Sequence, residues 1–298
     1  MESQQPTANG GIISGPSIHD DNTGNHVFDD VSLICPQDPR RMELTPLELV
    51  QSLEIKAAIH LSPEMDQIKD FDCAQLAIVD GDNRAKTLER VAHFQIFREE
   101  YELKDTLEEG LRLVEALVKL MPKLILCVSL NVADGSYVYI MDLAGFDQDA
   151  LKTIADERVL MGGLYYMAHI TSVDFFAIRA GIYTVIECEG YDWRKVKMST
   201  RRQCWQEVLA IYPRTFRQIK YFHPGLFTNL AISCLRRIVP LEIFQKIEVG
   251  CEFPGGRLDT FYAVPTRKAA NQRLLQRMRE CLRVKFQHRE SFRLPTRL

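Results

Sequence analysis

Two carboxylates, Glu187 and Glu189, flank Cys188 at the end of a short β-rich run. Asp142 closes another such run. Open α/β sheets place their sites at the carboxyl ends of strands, and paired acids there can divide the work of acid and base. These acids have no nucleophile or metal partner at a recognisable spacing. The seven histidines (19, 26, 60, 93, 169, 223 and 288) fall in no ligand pattern such as H-E-x-x-H. His169 lies in an apolar run, the usual setting of a hydrogen-bonded core histidine. The G-x-S-x-G elbow, the phosphate-cradling G-x-x-x-x-G-K-[ST] loop and the dinucleotide G-x-G-x-x-G turn are all absent. The chain therefore reads as a binding protein, with no catalytic residue, no metal and no cofactor. An enzyme using Glu187 or Asp142 on an α/β sheet is the weaker reading.

The element best suited to binding is the helix expected from Pro224 to Val239. Proline suits its first position, where the missing N–H has no partner in any case. Leu226, Phe227, Leu230, Ala231, Ile232, Leu235, Ile238 and Val239 make it apolar on nearly every face, and Pro240 stops it. Such a helix needs apolar neighbours on more than one side. It is either a core helix or a cover over an apolar cavity that can also be offered to a membrane. In the second case the paired Arg236 and Arg237 would meet anionic headgroups.

Other elements follow from caps and periodicity. Thr45-Pro46-Leu47-Glu48 is a capping box opening a helix to about His60. A second helix spans about Arg84 to Glu102, and Thr106 opens a third carrying Leu107, Leu111, Val114, Leu117 and Val118 at helical spacing. The segments 124–130 and 137–143 read as a hairpin turned by Ala133-Asp134-Gly135. One long helix is expected over 147–178, a strand at 182–188, a helix at 199–211 and strands at 216–222 and 247–253. Alternating strands and helices predict a mainly parallel sheet with flanking helices. The domains expected are a disordered tail (1–40), a helical domain (41–120), an α/β domain (121–265) and a basic C-terminal helix (266–298). That last helix carries Arg267, Lys268, Arg273, Arg277, Arg279, Arg283, Lys285, Arg289, Arg293 and Arg297 against Glu280 and Glu290. It reads as a solvated basic face on a docked helix, or as a contact with anionic lipid.

A formal charge of −3 over 298 residues gives no general signal for nucleic acid. No apolar run reaches the ~18–20 residues that span a bilayer, and the polar N-terminus is not a signal peptide. Eight cysteines are scattered without a C-x-x-C pair, which favours reduced thiols in a cytoplasmic protein.

The run G-I-Y-T-V-I-E-C-E-G at 181–190 resembles the G-[IV]-x-x-[IV]-x-D-x-[ED]-G signature of CRAL-TRIO lipid-binding domains. Tyr212-Pro213, a strand and then His223-Pro224-x-x-Phe227 resemble that family's [YF]-P…strand…[NE]-x-P-x-x-F segment. The stretch from Tyr137 to Asp147 is similar to its second strand and following turn, and Phe97-Arg98-Glu99-Glu100 to the end of its small helical domain. The likeness covers about 84–250. It implies a sheet flooring an apolar pocket, closed by a mobile covering helix, and a single water-insoluble guest such as a retinoid, tocopherol, carotenoid, squalene-like lipid or phospholipid.

Carried over residue by residue, the resemblance implies a floor of Ile182, Thr184, Ile186 and Cys188. It implies a wall of Met161, Leu164, Tyr165 and Ala168, and a cover of Phe227, Leu230, Ala231 and Cys234. Thr184 or Tyr165 would orient the guest. Arg214, Arg217, Arg236 and Arg237 would face a membrane. For each of these residues taken singly, ordinary core packing is the commoner reading. There are departures too. The F-L-R-A-R-x-F segment is replaced by L-A-I-V-D-G-D at 76–82, and the proline of the Lys-Pro-Phe that ends the cover is missing. The Glu-Arg pair of phosphatidylinositol-transfer members is here Arg214-Thr215. The resemblance therefore does not extend to phosphatidylinositol. The implied function is binding and transfer of a small hydrophobic molecule between membranes. The alternative is a regulatory, protein-binding module of the same fold with a closed pocket.

Overall fold

A computed structural model describes residues 38–60, 68–130, 136–192, 215–235, 241–251 and 267–296. Helices α1 (Pro46–His60), α2 (Asp70–Asp80), α3 (Arg84–Glu100) and α4 (Leu107–Leu120) come first. The Thr45 box forms as expected: Thr45 N–H donates to Glu48, and Glu48 N–H donates back to the Thr45 hydroxyl. Thr106 caps α4 by accepting from Glu109 N–H. The spacing predicts no helix over 70–80. Its residues Phe71, Cys73, Ala74, Gln75, Leu76 and Ala77 are all buried, so α2 is apolar on several faces and shows no single stripe.

The sheet contains β1 (Ile125–Leu130), β2 (Tyr137–Asp142), β3 (Ile182–Glu187), β4 (Phe216–Phe222) and β5 (Ile247–Cys251), in that spatial order. β1 and β2 pair antiparallel, as the hairpin reading requires, and every later neighbour pairs parallel. The turn expected at 133–135 and the helix expected at 199–211 lie outside the described residues. So does nearly all of the expected N-terminal tail.

The long helix expected over 147–178 is two helices, α5 (Ile154–Ile170) and α6 (Phe175–Ala180), preceded by a 3-10 turn at Gln148–Ala150. Local side chains account for the break. Thr171 and Ser172 hydroxyls donate back to carbonyls of α5, and Asp174 accepts Ala177 N–H to begin α6. Glycines set how closely α5 approaches α4. A Cβ on Gly162 would meet Leu113 at 2.8 Å, and one on Gly163 would meet Leu117 at 2.7 Å. These two positions let the helix backbones close to side-chain contact.

After β4 come α7 (Leu226–Leu235) and the short α8 (Leu241–Phe244). The final helix, α9 (Arg267–Ser291), is docked with Arg273 and Arg283 exposed, as the first of its two readings has it, but not all of its cations face water. It packs on α2, α4, α5 and β1. Met278, Cys281 and Leu282 are fully buried, and so is Lys285. One cluster of buried residues runs from α3 and α4 through β1, β2 and α5 to α9, crossing the borders expected at 120 and 266. The reason is that the inner stripe of α9 continues in cations. Lys285 Nζ donates to Gln75 Oε1 (2.8 Å) and the Ser172 carbonyl (2.7 Å), and lies 3.9 Å from the Phe71 ring centroid. Burial pushes its ammonium well below the ordinary lysine range, against the opposing pull of Asp72.

One turn on, Arg289 is held by two carboxylates. Its Nε and Nη2 donate to Asp72 at 2.9 and 2.6 Å, and its Nη1 and Nη2 donate to Asp105 at 2.8 and 2.7 Å. Burial raises the Asp105 carboxyl, but the Arg289 charge and hydrogen bonds outweigh it and hold that carboxyl well below the usual range. Removing one partner of a buried pair leaves charge uncompensated. Arg289→Met should therefore cost about 3–5 kcal/mol in urea unfolding, whereas Arg273→Met on the same helix should cost under about 1 kcal/mol, as surface changes do.

Candidate functional site

The register of the sheet fixes which side chains share a face. Tyr139, Thr184, Ile219 and Ile247 form one row across β2 to β5, and Met141, Ile186, Tyr221 and Val249 form the next. With Ile182 they present an apolar floor in which Thr184 is the one hydroxyl of the β3 set. Side chains alternate in a strand, so Val185 falls on the other face, clustered with Ile140 and Phe222. Gly181 begins β3 at φ +79, a left-handed conformation natural to glycine, and a Cβ there would sit 3.1 Å from the Thr215 carbonyl. That glycine lets Ile182 N–H donate to Thr215 at 2.8 Å, which sets the strand in place.

Two bodies cover the floor. Over β1 and β2 lies the cluster that holds Val128, Tyr137, Tyr139, α5 and α9. Over β4 and β5 lies α7, whose Ile232 is buried against Ile186, Cys188, Phe216, Ile219 and Tyr221. The β3 residues Ile182, Thr184 and Ile186 run along the seam between the two. Cys188 follows the strand and joins the α7 side, with its thiol pKa pushed up to about 12 by burial and then by Glu187 and Asp142.

On α5, at ~100° per residue, Leu164, Ala168, Met161 and Tyr165 occupy an arc pointing away from the glycine face that meets α4. Met161 and Ala168 are buried and Leu164 is half-buried. Tyr165 is placed differently from the expectation. Its ring is taken up by α3, with centroids 5.6 Å from Phe94 and 5.9 Å from Phe97, and it meets His169 edge-on at 4.8 Å. With Tyr166 at 5.0 Å, four rings from α3 and α5 surround it, so it serves the core and is a poor candidate for orienting a guest.

Leu230 is a second correction. It is 63% exposed, and Leu226 one turn earlier is 87% exposed. Ile232 defines the inner face of α7, and residue 230, two positions back, points ~200° away from it. Side chains of the other expected cover residues, Phe227, Ala231 and Cys234, lie outside the described set, as do Arg214, Arg236 and Arg237. Arg217 is the extra residue of a bulge in β4 and lies over the Tyr183 ring at 5.6 Å. Tyr183 alternates away from the floor, so Arg217 belongs to the opposite side of the sheet from α7.

The strand-end acids make a small cluster that the sequence reading did not assemble. Glu187, in register with Asp142, is buried, and its Oε1 accepts from Cys188 N–H and Glu189 N–H at 2.8 Å each. His223 Nδ1 stands 3.1 Å from both Glu187 oxygens. Burial raises the Asp142 pKa, and Glu187 beside it adds to the rise. Glu187 is thus occupied with holding the chain. Cys188, its pKa raised, remains a thiol at neutral pH and is no activated nucleophile. Among the described residues, no group of three His, Cys, Asp or Glu side chains is placed to hold a metal ion. Nor, among the described residues, is any helix long and apolar enough to cross a membrane.

No protein-family model matches this chain, and no curated protein matches it. Among solved structures, the one titled "Crystal structure of Sfh5" aligns over 70% of this chain and 82% of that chain. The identity is 11% and the TM-score 0.47. A likeness at that level is one of outline, and the case for the site rests on this chain's own residues.

Behind the wall, His169 is fully buried among Tyr165, Tyr166 and Phe286. Burial, then the Arg289 and Lys285 charges, push its imidazole pKa well below the ordinary 6.5. The unfolded chain takes up a proton there that the folded one refuses. Stability from this group is thus present above the ordinary value and declines as pH falls below it. In urea titrations at pH 7 and pH 5 the wild type should lose stability relative to His169→Phe, by up to about 1.4 kcal/mol per pH unit.

Proposed function

We propose that the chain binds a small hydrophobic molecule between α5, the β3 floor and α7, and carries it between membranes. The observation behind this reading is the two-sided character of α7. It is a ten-residue helix with Ile232 turned to the sheet and Leu226 and Leu230 left in water. A core helix has no use for the outer pair. A cover that must leave the sheet and lie on a bilayer uses both sides. The motif series at 137–147, 181–190 and 212–227, similar to CRAL-TRIO domains, points the same way.

The guest would be a retinoid, tocopherol, carotenoid or similar lipid. Enclosing ~400 Å² of such a molecule at ~25 cal/mol/Å² gives about 10 kcal/mol before ordering costs, so apolar contact alone can retain it. Thr184 would orient a single polar group. Arg236 and Arg237, following α7, would add attraction to an anionic leaflet at about 1 kcal/mol each. Arg217, on the far side of the sheet, would not join them. Cys73, Cys188 and Cys281 are buried and in no disulfide, as suits a cytoplasmic protein. The regulatory-module alternative drew support from the long polar N-terminus and the basic C-terminal helix; the burial of Lys285 and Arg289 weakens the second of these.

Two measurements check the proposal. Incubated with a lipid extract, repurified and examined by mass spectrometry, the protein should carry a hydrophobic molecule at about one per chain, and Thr184→Trp should carry much less. An empty wild-type protein would refute the carrier reading. The double variant Leu226→Glu, Leu230→Glu should keep its melting temperature and lose most sedimentation with anionic vesicles; unchanged sedimentation would remove α7 as the membrane-facing element.

A further inference from the structure

We propose that the Glu187–His223 pair is a latch on the base of α7, so that the covering helix swings away only when the pair parts. The inference rests on reading α7 as the cover, and it adds what holds that cover shut.

The latch has one fixed half. Glu187 is the last residue of β3, and its Oε1 already accepts from the next two backbone N–H groups, Cys188 and Glu189, at 2.8 Å each. Cys188 N–H in turn donates to the Phe222 carbonyl at 3.1 Å, which ties the ends of β3 and β4 together. Up to Phe222, then, the chain belongs to the sheet.

His223 is the other half, and it follows the last residue of β4. It has φ +46, and Glu102 is the one other non-glycine described residue with positive φ. Side chains rarely adopt this conformation, because it costs free energy and persists only when neighbours over-determine it. Here the neighbour is Glu187, with Nδ1 3.1 Å from each carboxylate oxygen. The His223 side chain is 43% exposed against 10% for Glu187, so water can compete for the moving half but not the anchor. Asp142, beside Glu187 at the end of β2, adds negative potential on the anchor side. Beyond His223 only Pro224 and Gly225 separate the pair from α7, and a Cβ on Gly225 would meet nothing within 4 Å. That places an unencumbered pivot directly after the contact.

Amide hydrogen exchange over 226–235 in the full chain, without added lipid, reads the latch directly. Glu187→Gln and His223→Asn should each speed exchange there about tenfold, the scale of one charge-assisted hydrogen bond on a local opening. The double variant should go no further than either single one, and exchange in β2 and β3 should stay as it was. His223→Gly accepts the left-handed backbone without an imidazole, and the latch requires it to behave like His223→Asn. Wild-type exchange in either single variant or in His223→Gly, or effects that multiply in the double variant, would overturn the proposal. The lipid-loading experiment is separate: a wild type that takes up no lipid defeats the carrier reading, while the exchange rates still decide whether the pair restrains α7.

Discussion

A guanidinium between two carboxylates is the constraint on which the rest depends. Arg289 reaches Asp72 in the second helix and Asp105 just before the fourth, and all three are withdrawn from water to a large degree. Each charge alone would oppose folding, and together they require α2, α4 and α9 to meet in one arrangement. Lys285 repeats the demand one turn earlier, through Gln75, Ser172 and the face of Phe71. The helical half of the protein is thus assembled around the inner cations of its last helix. α5, which packs on α4 and α9, inherits its position from that assembly.

The sheet is organised by simpler means. A left-handed glycine starts β3, alternation sorts its side chains, and the register with β2 and β4 aligns two apolar rows beneath α5 and α7. The rigid side of the floor is tied to the helical core. The other side is closed by α7, with Ile232 its one side chain in the described core. The covering is thus unequal, broad over β1 and β2 and narrow over β4 and β5.

Much of this was readable from residue types. Thr45 and Thr106 announced their helices because capping is local chemistry. The β1–β2 hairpin and the β3 and β4 strands followed from β-branched and aromatic runs, and Gly181 and Gly190 marked the ends of β3. What was not readable involved long-range compensation. Lys285 and Arg289 look like surface cations until Asp72 and Asp105 are known to lie opposite them, and nothing local reveals partners so far away. α2 hid because it is wrapped on several sides. The break between α5 and α6 hid because Thr171 and Ser172 end a helix by bonding back to it, which the apolar pattern ignores. On β3, alternation put Ile182, Thr184 and Ile186 on one face and Val185 on the other, as the register has it. Helical rotation placed Leu230 outside and Tyr165 with α3, which a motif carried over position by position does not resolve. The pairing of Glu187 with His223 joined two segments that each looked complete alone.

The separation of Arg289 from Asp72, 217 residues along the chain, bears on how the protein is made. Synthesis delivers α2, α4 and α5 long before α9. For that interval, about ten seconds or more at usual elongation rates, these helices expose apolar surface and two acids awaiting a counter-ion. The arrangement of Asp72 and Asp105 around Arg289 waits on α9, so docking of that helix comes late in this order of connection.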